Sequence, residues 1–127
     1  MLSQVMHSDP PVYHHDIQGP NIMKKFDSDE WFLIDWSDAS TAPTRAVTHM
    51  KECEHSPRVR EDNHGADVDI WGIGRYMEEL ASRVTCHIAN PSAVTRMARG
   101  WMENSTTITA AGALREILVS IYHPNKE

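Results

Sequence analysis

The chain has 127 residues, of which 40% are apolar and 24% are charged, a balance typical of one globular domain rather than of a disordered segment. Eighteen acidic side chains outnumber 12 basic ones, and the resulting net charge of -6 argues against non-specific nucleic-acid binding, which needs a basic surface. No apolar run approaches the roughly 20 residues of a membrane span, and no secretion signal is visible. Two cysteines, Cys53 and Cys86, predict no disulfide framework. We therefore expect an intracellular protein of the cytoplasm or nucleus, without a nucleic-acid or membrane partner.

The first predicted elements are short. Residues 1–8 have the apolar spacing of a helix, which the prolines at positions 10 and 11 end. Three β-type runs follow, and we expect them to be strands, with the polar residues between them on loops. These runs are Val12-Tyr13, Ile22-Met23 and Trp31 to Ile34.

Two polar blocks lie beside these runs. Residues 14–21 read HHDIQGPN, and residues 35–37 read DWS. A carboxylate can position and deprotonate a hydroxyl, and carboxylate and amide oxygens suit Mg²⁺. Taken singly, an Asp in a loop is usually solvated, and an Asp that follows a strand is often only a cap. The order and spacing of the two blocks favour a catalytic cleft.

The segment that follows, residues 41–63, has no sustained period and is predicted to be a loop with a helical turn. Apolar residues at three- and four-residue steps then predict helices. Asp67 is a candidate cap for the first helix, and Asn90, just before Pro91, is a candidate cap for the second. The predicted helices span residues 67–84, 91–103 and 109–122.

Three blocks together resemble the C-terminal lobe of protein kinases. Residues 14–21 have the H-x-D-I-x-x-x-N spacing of the kinase catalytic loop, residues 35–37 stand where kinases have D-F-G, and residues 67–74, DVDIWGIG, are similar to the kinase pattern D-[VI]-W-S-x-G. The likeness is closest to the short, divergent kinase-like domains of fungi. It implies a mainly α fold with a small β-hairpin region, residues 1–127 forming a single incomplete domain with an activation-like segment at residues 38–58. We expect the N-terminal lobe to be missing from these 127 residues, since no G-x-G-x-x-G loop occurs among the six glycines.

The resemblance also implies roles for individual residues. Asp16 corresponds to the catalytic carboxylate that orients and deprotonates the hydroxyl of a protein Ser or Thr. Asn21 and Asp35 correspond to the residues that hold Mg²⁺ and, through it, ATP. His14 is expected to anchor the loop by packing, and Asp69 is expected to accept backbone hydrogen bonds from the loop, a structural role.

Several positions depart from the kinase pattern. His15 replaces an Arg, Gln18 replaces a Lys and Ser37 replaces a Gly, so we expect weak turnover or none, and no regulation by phosphorylation of the loop. Arg58 stands where kinases have a Glu, and Thr107 stands where that Glu has its Arg partner. We expect Arg58 to pair with Glu103, or with Glu61 nearby, or to face solvent, and not to be buried alone.

Two alternatives stay open. The chain is either a phosphotransferase, or a pseudokinase lobe that binds a partner protein and self-associates through exposed apolar residues such as Ile22, Met23 and Leu33. A transition-metal site at His14, His15 and Asp16 is a minor third interpretation, because imidazole and carboxylate are competent ligands.

Overall fold

The computed structural model describes residues 10–83, 90–109, 111–113, 115 and 116. The predicted N-terminal helical stub, residues 1–8, lies outside the described residues, as does most of the predicted last helix. The described part of that last helix, residues 111–113, 115 and 116, is helical.

Four short strands form two antiparallel pairs. Strand β1, Val12–Tyr13, pairs with β4, Ser40–Thr41, and brings the start of the first polar block beside the end of the second. Strand β2, Ile22–Lys24, pairs with β3, Trp31–Leu33, in a hairpin that sets Met23 opposite Phe32. All three β-type runs therefore form strands, as aromatic and β-branched residues in alternation favour.

Two helices make up most of the described C-terminal half. Helix α1 spans Ala66–Arg83 and helix α2 spans Pro91–Glu103, in agreement with the prediction to within one residue at each described end. The Asn90 side chain accepts a hydrogen bond from the Ala93 amide, and Pro91 occupies the first turn, where its missing N–H costs nothing. None of the described helices is long and apolar enough to cross a membrane.

The core lies in two clusters on either side of α1. One joins Met50 and Val59 of the irregular segment to Val68. The other joins Ile70 of α1 to Trp101 of α2 and to Ala113. The irregular segment contains one helical turn, the 3₁₀ helix Pro57–Arg60, as predicted. Helices and small antiparallel sheets thus make a mixed arrangement, less dominated by helix than the expected mainly α fold.

Arg58 pairs with a residue that sequence reasoning did not choose. Its Nε donates to the Asp67 carboxylate at 2.8 Å, and its side chain is 40% exposed. The expected pairing with Glu103 or Glu61 is therefore wrong, although Arg58 is not buried alone. Because Asp67 lies inside α1 and its other carboxylate oxygen accepts from the Gly65 amide, Asp67 links the 3₁₀ helix to the start of α1.

Candidate functional site

The first polar block is fixed to α1 by one buried carboxylate. Asp69 has no exposed surface, and its two oxygens accept the backbone amides of His14 and His15, each at 2.8 Å. His15 has a φ of 73°, in the left-handed region that a residue with a side chain rarely adopts, so the Asp69 bond holds a strained backbone. Burial raises the pKa of Asp69 above its ordinary value, while the two backbone hydrogen bonds oppose that shift.

His14 links the same block to the end of β3. Its ring is fully buried, with Nε2 2.9 Å from the Ile34 carbonyl oxygen and Nδ1 3.2 Å from the Asp16 amide nitrogen. A carbonyl only accepts and an amide only donates, so the ring is neutral and carries its proton on Nε2. The ring also packs edge-on against Trp36, with centroids 4.6 Å apart. His14 therefore has the packed, anchoring position expected from the sequence.

Asp16 lies at the centre of a hydrogen-bond network. Its Oδ1 accepts from the Gln18 side chain at 2.9 Å and is 2.6 Å from Nε2 of His55. Its Oδ2 accepts from Nδ2 of Asn21 at 3.0 Å, and the same nitrogen donates to the Asp16 backbone carbonyl at 2.9 Å. The Asp16 side chain is only 15% exposed. Its carboxylate is thus held in one orientation by three side chains.

Asn21 and Asp35 are brought together by the backbone. The Asn21 carbonyl accepts from the amide of Ile34, the residue before Asp35, at 2.9 Å. The nitrogen of the Asn21 side chain donates to Asp16, and the amide oxygen of that side chain takes no part in these two hydrogen bonds. Asp35 is exposed, and a 2.6 Å hydrogen bond from the Ser37 hydroxyl, together with the hydrogen bond of the Ser37 backbone, lowers the pKa of the Asp35 carboxyl.

The donor set of Asn21 and Asp35 fits a hard divalent cation. It offers an ionised carboxylate and an amide oxygen, and Mg²⁺ commonly takes one or two protein oxygens and completes its shell with water and phosphate. A transition metal would need a larger set of ligands. Within the described ranges, no group of three or more His, Cys, Asp and Glu side chains is arranged to hold a metal ion.

A pair of buried histidines, His15 and His64, also holds the first polar block in place. Nδ1 of His15 lies 2.7 Å from the Asp38 carbonyl oxygen, and Nδ1 of His64 lies 2.7 Å from the Glu61 carbonyl oxygen. The two Nε2 atoms are 2.9 Å apart. Each ring thus has one nitrogen against a backbone carbonyl and the other against the second ring. The pair ties Asp38, the loop and the segment before α1 together.

No family model matches the chain, and no solved structure matches it. A comparison with curated proteins finds one 65-residue segment that is 35% identical to Crinkler effector protein 8 of Phytophthora infestans. The chain resembles that effector in part. The matched segment covers 48% of this chain and 11% of the Crinkler protein, so the chain spans a small share of the relative's length.

The structure brings the site residues predicted from separate blocks into one hydrogen-bond network. The likeness to the Crinkler protein assigns no chemical role to any of them. Hydrogen bonds join Asp16 directly to Asn21, and the Asn21–Ile34 bond places Asp35 next in the chain. Two residues of the network were missed by sequence reasoning, His55 and His64. His55 lies 39 residues from its partner Asp16, and His64 lies 49 residues from its partner His15. Both belong to a segment without periodicity, so no local sequence pattern indicates them.

Proposed function

We propose that the chain forms the C-terminal half of a protein kinase-like domain, in which Asp16 serves phosphoryl transfer from ATP to a serine or threonine of a protein. The observation that carries the proposal is the buried Asp69, which holds the amides of His14 and His15. This contact fixes the loop so that Asp16 faces Asn21, and Asn21 in turn lies beside the residue before Asp35.

The residues divide the chemistry between them. Asp16 accepts the proton of the incoming hydroxyl and directs its oxygen towards the phosphorus. Asn21 and Asp35 would hold Mg²⁺, which neutralises phosphate charge when it is bound. Gln18 donates to Asp16 where kinases carry a Lys, so it orients the carboxylate but supplies no positive charge to the transferring phosphate. Turnover is therefore expected to be slow.

Nucleotide binding tests this proposal directly. The 127 residues contain no Gly-rich phosphate loop, so only the side of the site formed by Asn21 and Asp35 contributes, and we expect Mg-ATP to bind with a Kd at or above roughly 1 mM. The measurement is a calorimetric or NMR titration with and without Mg²⁺. Asp35→Asn should abolish the Mg²⁺ dependence, whereas Asp29→Asn, an exposed acid on the hairpin, should not.

Each outcome of the titration bears on a different part of the proposal. Low-micromolar affinity would contradict the weak site, and binding unaffected by both Mg²⁺ and Asp35→Asn would contradict the assignment of Asp35. Transfer of the γ-phosphate to a mixture of Ser- and Thr-rich proteins, lost in Asp16→Asn, would support an enzyme.

A second candidate function is a pseudokinase lobe that binds a partner protein. It is favoured by the large apolar side chains exposed on the β2–β3 hairpin and just beyond it, where Phe26 is 95% exposed and Trp31 is 56% exposed. The partial likeness to a Crinkler effector is compatible with such a role. The two functions separate experimentally, since binding of a partner through the hairpin should survive Asp16→Asn and Asp35→Asn together.

A further inference from the structure

The tip of the β2–β3 hairpin, residues 25–30, presents an apolar side chain and an unpaired carboxylate next to each other. Phe26 is 95% exposed, and the adjacent Asp27 is exposed as well. The other charged side chains of the hairpin pair with one another, Lys24 with Asp29 at 3.7 Å and Lys25 with Glu30 at 3.1 Å. Asp27 has no ion-pair partner among the described residues, so the tip offers one phenyl ring and one uncompensated negative charge.

A groove on the other half of the chain has the opposite character. It has a volume of about 380 Å³ and lies where α1 and α2 meet the irregular segment, residues 41–63. Trp71 of α1 and Met102 of α2 line it, and both are half-buried, so each keeps apolar surface open to the groove. Arg75, one helical turn after Trp71, lines it too. No hairpin residue is among its described lining residues, so the tip and the groove are separate patches of one chain.

The groove contains a positive charge that the described chain does not compensate. The two acids that line it are already paired, Glu78 with Arg99 at 3.4 Å and Glu79 with Arg83 at 2.9 Å. Arg75 is half-buried, and no hydrogen bond or ion pair joins its guanidinium to another described residue. A guanidinium in this position can bind an incoming carboxylate by charge-assisted hydrogen bonds.

Two other surface grooves do not combine these features. One follows α2 and contains Arg96 and Arg99, and the other lies along residues 37–49 and contains Arg45. Neither has a Trp, Phe or Met side chain among its described lining residues. Indole rings and thioether sulfur pack favourably against a phenyl ring, so the groove with Trp71 suits Phe26 better.

The spacing of the two patches also matches. Phe26 and Asp27 are consecutive, so their Cα atoms are about 3.8 Å apart. Trp71 and Arg75 are four residues apart on one helix, which places them side by side on the same face, about 5–6 Å apart at Cβ. A ring and a carboxylate from the tip can therefore reach an indole and a guanidinium of the groove together.

We propose that the hairpin tip of one copy of this chain binds the groove of a second copy. Phe26 packs against Trp71 and Met102 of that copy. Asp27 pairs with its Arg75. Because the two patches differ, the contact is head-to-tail rather than two-fold symmetric, and it either closes into a ring or extends into a chain of copies. None of Asp16, Asn21 and Asp35 takes part, so the contact does not depend on the proposed function.

The native thiol of the groove reports whether the groove is occupied. Cys53 is free and exposed and lines the groove. Sedimentation velocity of the 127-residue chain measures association, and peptide mass spectrometry measures how fast N-ethylmaleimide labels Cys53. Labelling should slow several-fold at concentrations at which the chain associates. Phe26→Ser should weaken association about 30-fold or more, the effect of truncating a central aromatic anchor, and should abolish the protection of Cys53.

Charge reversal identifies the ion pair. Arg75→Asp and Asp27→Lys each bring like charges together, so each alone should weaken association about tenfold. An equimolar mixture of the two variants should regain association, because the two changed side chains then attract each other and the reverse contact is the wild-type one. Asp27 has a φ of 53°, which Asn tolerates, so Asp27→Asn is the second variant and should weaken association by a smaller factor.

A matched control and the possible outcomes complete the test. Arg96→Asp makes the same charge change on an exposed residue of α2 outside this groove and should leave association unchanged. Slower labelling of Cys53 on association, together with recovery in the mixture, supports the head-to-tail contact. A chain that is monomeric at every concentration overturns it. Association that leaves Cys53 unprotected, or that Arg75→Asp does not weaken, would mean that the hairpins meet a different surface and would overturn it as well.

Discussion

Asp69 is the residue on which the geometry of the first polar block, residues 14–21, depends most. Asp69→Asn keeps the shape but points an NH₂ group at one of the two backbone amides, leaving a buried donor unpaired, so we expect a loss of about 1–3 kcal/mol of unfolding free energy. Because burial raises the pKa of Asp69, its protonation favours the folded state at acid pH, and that contribution is lost as the pH rises through the folded pKa. The difference between wild type and variant should therefore shrink as the pH rises above the ordinary Asp pKa.

Urea unfolding at several pH values measures that difference. Asp62 provides the control, since it also accepts a backbone amide, that of Ala46 at 2.8 Å, but is exposed. Asp62→Asn should change stability by no more than about 0.5 kcal/mol. A difference for Asp69→Asn that grows with pH would contradict the burial of an easily protonated carboxyl.

Ser37 tunes the ionisation of Asp35. Its hydroxyl is the main cause of the lowered pKa of Asp35, so Ser37→Ala should raise that pKa towards its ordinary value. A lowered carboxyl pKa stabilises the folded state at pH values above the ordinary Asp pKa, and this stabilisation is lost as the pH falls through the folded pKa. Ser37→Ala should therefore lack this stabilisation. An NMR titration of the Asp35 carboxyl carbon measures the change. Ser82→Ala, which removes a hydroxyl bonded within α1, should leave the titration unchanged.

At the scale of elements, two glycines of α1 set how closely its neighbours approach. A Cβ atom added at Gly72 would lie 2.9 Å from the Ile17 carbonyl oxygen in the first polar block, residues 14–21, and one added at Gly74 would lie 2.8 Å from the Ala98 carbonyl oxygen of α2. Both neighbours are backbone, so they cannot rotate away. We expect Gly72→Ala and Gly74→Ala to cost about 1–3 kcal/mol, despite the higher helix propensity of Ala.

Gly100 on α2 is the matched control for this prediction. A Cβ atom there has nothing within 4 Å, so Gly100→Ala should stabilise the chain by up to about 1 kcal/mol through helix propensity alone. Thermal unfolding of the three variants checks both signs. A stabilising Gly72→Ala would show that the loop is not seated on α1 as described.

The elements were easier to predict than the contacts between them. Helix α2 and its Asn90 cap follow from local rules, since apolar spacing, capping and proline position agree. The kinase-like spacing indicated Asp69, whose hydrogen bonds to the loop amides are observed, and Asp16, Asn21 and Asp35, whose roles in catalysis and metal binding stay predictions. The Arg58–Asp67 and His55–Asp16 pairs were not, because which charges meet depends on how an aperiodic segment folds back over the loop. The left-handed backbone at His15 and Asp35 also has no marker in the sequence, since neither is a glycine.

At the scale of the whole molecule, the main anomaly is an apolar surface on and next to the β2–β3 hairpin. Five large apolar side chains are exposed there, and one of them, Phe26, loses almost no area to the rest of the described chain. A two-stranded hairpin has little stability alone, and an exposed apolar patch of this kind marks a contact surface. The five residues are Met23, Phe26, Trp31, Phe32 and Ile34. Of the three residues named from the sequence for this role, Met23 is exposed, while Ile22 and Leu33 are half-buried.

We therefore expect the isolated chain to self-associate through this surface. Light scattering at increasing concentration should show a rising average mass, and Phe26→Ser together with Trp31→Thr should restore a monomer, because burial of apolar area is worth roughly 25 cal/mol per Å². The fold should survive these changes, since Phe26 is 95% exposed and therefore packs little against the chain. Lys25→Ser, which removes an exposed charge paired with Glu30 on the same hairpin, is the control and should leave the association unchanged. A wild-type chain that stays a monodisperse monomer at high concentration would show that the hairpin does not drive self-association.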